Sequence, residues 1–225
     1  MERSRKIVNL AFVVVVLLTG CEERLPSGDS FSEAPGGSRS ALVKAVLQGD
    51  IDVASRLLAN GEDVDRKHWG ITLLGHAILS RSCDSDMVQL PISHGASLDA
   101  DSNEGTPLTI AATTGKQLCF DLLLKAGAKK RGATSSGESF LHSAVSGRNS
   151  NIVRWAIEAG EDVNFPNKEG ATPLMTAAYL GAHEIVDVIV SAGGDVNLSD
   201  NNGNTAADYA LLGGNKDIPE KLPRQ

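Results

Sequence analysis

Apolar and polar positions along this chain fall into a recurring two-part pattern. A short run with apolar residues three and four apart, such as "TPLMTAAYL" (Thr172–Leu180), leads through a glycine-bearing turn to a second such run, "HEIVDVIVSAG" (His183–Gly193). Spacing of this kind lines one face of a helix, so each pair of runs predicts two short amphipathic helices joined by a turn. The pair then repeats. An alanine late in the first run stands at Ala45, Ala77, Ala111, Ala144, Ala177 and Ala210, at intervals of 32, 34, 33, 33 and 33. A glycine closing the second run stands at Gly61, Gly95, Gly127, Gly160 and Gly193, on the same period. Two independent markers with one period identify an internal repeat.

The punctuation of each unit has a physical reading. Ser40, Thr72, Thr106, Ser139, Thr172 and Thr205 share one place, where a hydroxyl caps the free N–H groups of a starting helix. Pro107 and Pro173 follow directly, suited to a first helical position whose N–H has no partner. Leu42, Leu74, Leu108, Leu141 and Leu174 come next and form the apolar face with the repeat alanine. Segments such as Asp63-Val64-Asp65, Asp162-Val163-Asn164 and Asp195-Val196-Asn197 predict turns that project from the helix pair. Two short helices cannot make a core alone, but stacked neighbours bury their faces continuously.

On these residues the chain resembles ankyrin-repeat proteins over about residues 38 to 222, most closely at Gly170, Thr172-Pro173-Leu174, Ala177-Ala178, Ile185-Val186 and Gly193. The resemblance implies an all-α solenoid of about six helix-turn-helix units with projecting turns, near 38–65, 66–98, 99–130, 131–163, 164–196 and 197–222 within a domain at 39–222. The first and last units are atypical, as stack caps are: Ser40-Ala41-Leu42 and Thr205-Ala206-Ala207 replace the Thr-Pro-Leu, and Pro219 is expected to interrupt the final helix. The second unit carries two extra residues within "RSCDSD", and Pro91 inside its second helix is expected to kink it. That irregularity reads either as tolerated or as a bulge shaping a partner contact. The family's histidine after Thr-Pro-Leu is present only as His142, so its inter-repeat network is expected to be mostly absent.

Composition narrows the chemistry. Aromatic residues are 4% of the chain and the net charge is -7, or -9 without the first 20 residues. Acidity of this degree is unsuited to a nucleic-acid backbone. His183-Glu184 lacks the second histidine of a zinc protease helix, and His68, His76, His94, His142 and His183 are scattered without ligand spacing. Asp101–Gly105 ("DSNEG") is slightly similar to a calcium loop but lacks the closing glutamate, and a repeat turn explains it. No catalytic set, metal or cofactor is expected, and the chain reads as non-enzymatic.

The N-terminus, "MERSRKIVNLAFVVVVLLTGC", has a basic start, an apolar stretch from Ile7 to Leu18 and small residues before Cys21. The stretch is short for a membrane span and suits a cleaved signal at 1–20. Leu18–Cys21 resembles the lipobox of bacterial lipoproteins, which implies a lipidated Cys21 and an envelope protein facing the periplasm. Glu22 in place of aspartate favours the outer membrane. An uncleaved anchor or an ordinary signal peptide is the other reading. The Gly-, Ser- and Pro-rich stretch that completes 21–38 reads as a tether with a reach of roughly 20–25 Å.

The ankyrin resemblance implies a concave partner-binding face, here assigned to Lys44, Leu47, His76, Leu79, Ile110, Thr113, Ser143, Thr176, Tyr179 and Tyr209. His68, Trp69 and Phe165 lie on projecting turns, where the aromatics either anchor a partner or fold down over the next repeat; Trp155 reads as core. Stacking places Cys83 and Cys119 in neighbouring units, where they either pair or remain a free and a buried thiol. The expected partner is a periplasmic or incoming secreted protein, bound by a monomer. The resemblance extends to lipoprotein immunity factors against effectors such as a type VI secretion phospholipase, and to scaffolds of a resident enzyme such as catalase.

Overall fold

In a computed structural model of the chain, residues 40–80, 83–130 and 137–222 are described. The signal at 1–20, Cys21, the tether and residues 81–82 of the second unit's irregular segment lie outside the described residues.

Hydroxyl caps set the register of the repeats. Thr72, Thr106, Ser139, Thr172 and Thr205 each accept a hydrogen bond from the backbone N–H three residues on, at 3.1–3.4 Å. They open the first helices of their units: α3 (Leu73–Leu79), α5 (Pro107–Thr113), α7 (Phe140–Ser146), α9 (Pro173–Leu180) and α11 (Ala206–Leu212); α1 (Ala41–Gln48) is the first helix of the opening unit. The second helices are α2 (Ile51–Ala59), α4 (Ser85–Ser93), α6 (Gln117–Ala126), α8 (Ser150–Glu158), α10 (His183–Ser191) and the single turn α12 (Ile218–Lys221). Gly61, Gly95, Gly127, Gly160 and Gly193 end the second helices at φ between 84° and 97°, a left-handed stop that side chains resist.

The first helices stack from α1 to α11 and approach one another more closely than α2, α4, α6, α8 and α10 do. The six repeat alanines, at most 3% exposed, permit the close approach. Phe120, Phe140 and Trp155 fill the middle of the stack, with ring centroids 5.0–6.3 Å apart. Among the described residues there is no strand, only the isolated bridges His68–Ile71 and Ser199–Thr205.

Both irregular prolines are accommodated. α4 continues through Pro91, which packs in the core, and turns off only at His94. Pro219 sits in the first turn of α12 and opens that helix instead of interrupting it, because the first-turn N–H groups need no partner. Beside α4, a disulfide joins Cys83 to the fully buried Cys119 of α6, with Cα atoms 5.9 Å apart, well within the range such a bond spans.

Candidate partner-binding surface

Among the described residues the projecting turns form fingers, several of them clamped to the following unit. At their bases Asp65, Asp99 and Asn164 accept the backbone N–H of Ser97, Lys129 and Asp195 in the following unit, at 2.8–2.9 Å. At the tips, Asn103 donates its N–H to Gly70 O and its amide to Trp69 O. Asn201 does the same to Glu169 O and Lys168 O. The approach is so close that a Cβ on Gly70 or Gly170 would fall within 2.8 Å of the facing asparagine.

The finger of the second unit is built differently from those of the fifth and sixth. His68 and Ile71 exchange both backbone hydrogen bonds, at 2.9 and 3.0 Å, across Trp69 and Gly70. Both central residues have positive φ, 52° and 77°, as in a type I′ hairpin turn. The later fingers close one residue further apart, Asn167 to Ala171 and Asp200 to Asn204, with glycine alone taking the left-handed place.

The assigned face divides in two. Leu47, Trp69, Phe165 and Tyr179 are 39%, 56%, 37% and 39% exposed, Lys44 is exposed, and His68, Leu79, Thr113 and Thr176 are half-buried. His76, Ile110, Ser143 and Tyr209 are buried and are removed from the contact surface. Each has a physical reason. His76 Nε2 lies 3.2 Å from His68 O, under the finger, with its ring edge-on to Trp69. Ile110 fills the space left by Gly75, where its Cδ1 lies 3.3 Å from an added Cβ. Ser143, 5% exposed, sits among the buried residues of α7. Tyr209 donates to Asp200 Oδ2 at 3.0 Å and props the last finger.

Asp200 is the most heavily hydrogen-bonded carboxylate among the described residues. Burial pushes its pKa up, but the N–H groups of Asn204 and Asn202, the Asn204 amide and the Tyr209 hydroxyl outweigh it and hold the carboxyl at about 2. Burial, then donation to Asp200, raises the Tyr209 phenol. Burial lowers His76 and His142; His142 closes a capping box with Ser139 and lies 3.1 Å from Ala171 O in the next unit.

The missing family histidines are replaced by residues absent from the sequence-derived list. Lys116 donates to Ile78 O and Ser80 O, Asn149 to Gly115 O, and Asn215 to Ala178 O and Tyr179 O. Each tethers the start of a second helix to the end of the preceding first helix, where unpaired carbonyls accept a donor. Burial lowers the Lys116 pKa. Their 33-residue spacing in the sequence is the signal that would have found them.

A hollow of about 350 Å³ opens between the last two fingers, lined by Asn164, Asn167, Thr172, Ser199 and Asn201 among others. Asn164, Asn167 and Asn201 use their side chains on backbone groups, which makes the hollow part of the finger scaffold. Among the described residues no three His, Cys, Asp or Glu are grouped as metal ligands, and His183 faces Asp217 at 3.5 Å on the surface.

The ankyrin-repeat profile matches residues 42–134, 77–167 and 141–222. ZDHHC13 of Danio rerio, a palmitoyltransferase by name, is 32% identical over 184 residues, covering 78% of this chain and 28% of its own length. Protein PhlB of Serratia liquefaciens is 27% identical over 213 residues, covering 93% of this chain and 79% of its own. The B-cell lymphoma 3 protein homolog of Mus musculus is 30% identical over 171 residues, 75% of this chain and 33% of its own. Beside the clamped fingers and stacked helix pairs, these matches establish that the chain belongs to the ankyrin-repeat family, whose domains are protein-interaction modules.

Proposed function

We propose that this protein is a non-enzymatic binding protein tethered to the bacterial envelope, which holds a periplasmic protein against its first-helix and finger face. The observation that carries the reading is the exposure of Leu47, Trp69, Phe165 and Tyr179 on the first helices and turns of a stack whose buried histidines, His76 and His142, and buried carboxylate Asp200 are used for its own hydrogen bonds. The lipobox-like Leu18–Cys21 supports lipid anchoring, and a Cys83–Cys119 disulfide fits an oxidising compartment. The bacterial relative PhlB, matched over 93% of this chain, supports a bacterial setting.

Within that reading the protein acts as an immunity factor, blocking a secreted antibacterial effector such as a type VI secretion phospholipase. Anchoring keeps the inhibitor at the membrane such a toxin attacks. The test is affinity capture from envelope extract with residues 22–225, followed by an activity assay of what is retained. Retention of a secreted toxin whose activity falls on adding the protein is the expected result. Retention of a housekeeping enzyme such as catalase, with its activity preserved or enhanced, replaces immunity with scaffolding.

A further inference from the structure

Equivalent positions of α1 and α11 differ in exposure, because α1 has no unit before it and α11 none after it among the described residues. Leu42, Val43 and Val46 of α1 are buried, whereas their equivalents in α11 are a half-buried Ala207, an exposed Asp208 and a 55% exposed Leu211. Ala41 and Lys44 of α1 are exposed, whereas their equivalents Ala206 and Tyr209 are buried. The first set of positions therefore faces the following unit and the second set the preceding one. At the position of Leu211 the earlier units carry Val46, Ile78, Ala112, Val145 and Ala178, all 0% exposed. A residue of the stack interior thus stands uncovered at the end of the stack, beside Leu212 at 62%.

A terminal unit normally turns a polar face outward. The first unit does so: Lys44 lies on its open side, and at the place from which Lys116, Asn149 and Asn215 donate to the preceding unit it has Asp50, an acceptor already bonded to the Val53 N–H. Stacking that unit on another copy's last one would set the Asp50 carboxylate against helix-end carbonyls that need donors. The sixth unit is polar only at Asp208, which accepts the Thr205 N–H and hydroxyl at 2.8 and 2.7 Å. The rest of its open side is Ala207 and Leu211, four residues apart and so on one helix face. Two such faces fit each other when the helices run antiparallel, because a two-fold axis between them sets each Leu211 over the other's Ala207. Charges of both signs surround the contact. Antiparallel pairing brings Asp208 beside the turn that holds Lys216 of the other copy, while Asp217, 3.5 Å from His183, and Glu220 lie at α12.

We infer that the open side of α11 is a self-association surface, on which a second copy of this chain packs its own α11 antiparallel about a two-fold axis, Leu211 against Ala207. The inference goes beyond the partner-binding reading and does not depend on it. A contact of one seven-residue helix with another is smaller than the roughly 800 Å² per partner of a durable complex, so the pair is weak and forms where copies are concentrated.

The test uses the full chain in its native cells, present as two differently tagged copies, with a benzophenone photo-crosslinking amino acid at 212 or, as a control at the other end of the stack, at 48. An adduct from 212 that joins the two tags, maps to residues 206–212 of the second copy and is absent from 48 is expected. Leu211→Lys gives this end the charge that Lys44 gives the other, and should lower that adduct at least about tenfold while leaving the Tm of the purified chain within a few degrees of the parent's. A Tm lower by many degrees makes Leu211 part of its own chain's packing and overturns the inference. An adduct indifferent to Leu211→Lys, one that maps to the first unit of the second copy, adducts from 212 confined to lipid or to another protein, or none at all also overturn it. None of these outcomes touches the partner-binding reading, which stands or falls on the capture experiment above.

Discussion

The interface between the second and third units and that between the fifth and sixth are built on one repeat but held by different means. The earlier one has a disulfide, a lysine reaching across to Ile78 O and Ser80 O, and a shortened finger with a tryptophan in a left-handed turn. The later one has regular fingers, an asparagine in the lysine's place and a buried aspartate that ties the last turn to Tyr209. Where the repeat is followed faithfully, backbone and side-chain hydrogen bonds suffice to align neighbours. Where the second unit departs from it, through the insertion and Pro91, a covalent link and a cation take over. The irregular end is also where the largest exposed aromatic is displayed, so departure from the repeat and exposure of an aromatic coincide in one unit.

Reducing the disulfide is the strongest way to break the earlier interface while sparing the later one. It spans 36 residues of sequence, and releasing a loop of that size costs about 3–4 kcal/mol in the chain-entropy description. Urea unfolding with and without dithiothreitol should show a loss of this order in the parent and none in Cys83→Ser. The serine is placed at the half-buried partner, because a hydroxyl at fully buried Cys119 would add its own penalty. An unchanged midpoint on reduction would mean that stacking alone holds the irregular unit.

The later interface is broken by Tyr209→Ala, for about 3 kcal/mol, since a buried ring is lost and Asp200 loses a donor. Tyr179→Ala, at the 39% exposed ring of α9, should cost under about 1 kcal/mol and instead weaken partner capture. These two tyrosines look alike in the sequence, each in the second half of a first helix. If their stability costs prove equal, the division of the face into contact and support is wrong.

Acid sharpens the comparison because the buried histidines and Asp200 titrate in separate windows. His76 and His142 have lowered folded pKa values, so below about 6.5 the unfolded chain takes up protons that the fold resists, and stability declines as pH falls. Asp200, held at about 2 against 3.8, contributes stability that is whole above about pH 4 and is lost as pH falls toward 2, about 2 kcal/mol in all. Asp208, lowered by the Thr205 N–H and hydroxyl, acts in the same direction. Urea midpoints from pH 8 to 2 should fall in two stages. His76→Gln should reduce the first alone and Asp200→Asn the second alone; a single stage insensitive to both would contradict this assignment.

The repeat, its caps and its helix stops were legible in the sequence because they depend on local chemistry: a hydroxyl before a helix, glycine at a left-handed end, alanine where helices meet. The contact surface was only half legible. Ile110 and Thr176 occupy one repeat position, yet Ile110 is buried because Gly75 in the preceding unit leaves room for it, and no single-unit pattern carries that information. Trp69 was visible as an exposed-turn aromatic, but its left-handed backbone was not: the third finger closes over the same span, Ser102 to Gly105, with no non-glycine residue at positive φ. The clamps at Lys116, Asn149 and Asn215 were hidden for another reason: the position is chemically mixed, filled by lysine, asparagine and alanine in successive units.

That mixed position gives the smallest and most specific prediction. Ala182 occupies it between the fourth and fifth units, as the cap of α10, with no side-chain bond to the helix. One unit earlier, Asn149 both accepts the Asn151 and Ile152 N–H groups and donates to Gly115 O. Ala182→Asn should reproduce both contacts, capping α10 and reaching the carbonyls that end α7, for a gain of about 1 kcal/mol. The gain should appear as a higher urea midpoint at unchanged slope, since the surface exposed on unfolding is the same. It should also survive reduction of the disulfide undiminished, because Ala182 and Cys83 belong to separate interfaces and distant changes add. A gain that vanishes on reduction would show that the two interfaces communicate, and the contrast between a covalently held end and a hydrogen-bonded end would then describe a single cooperative stack.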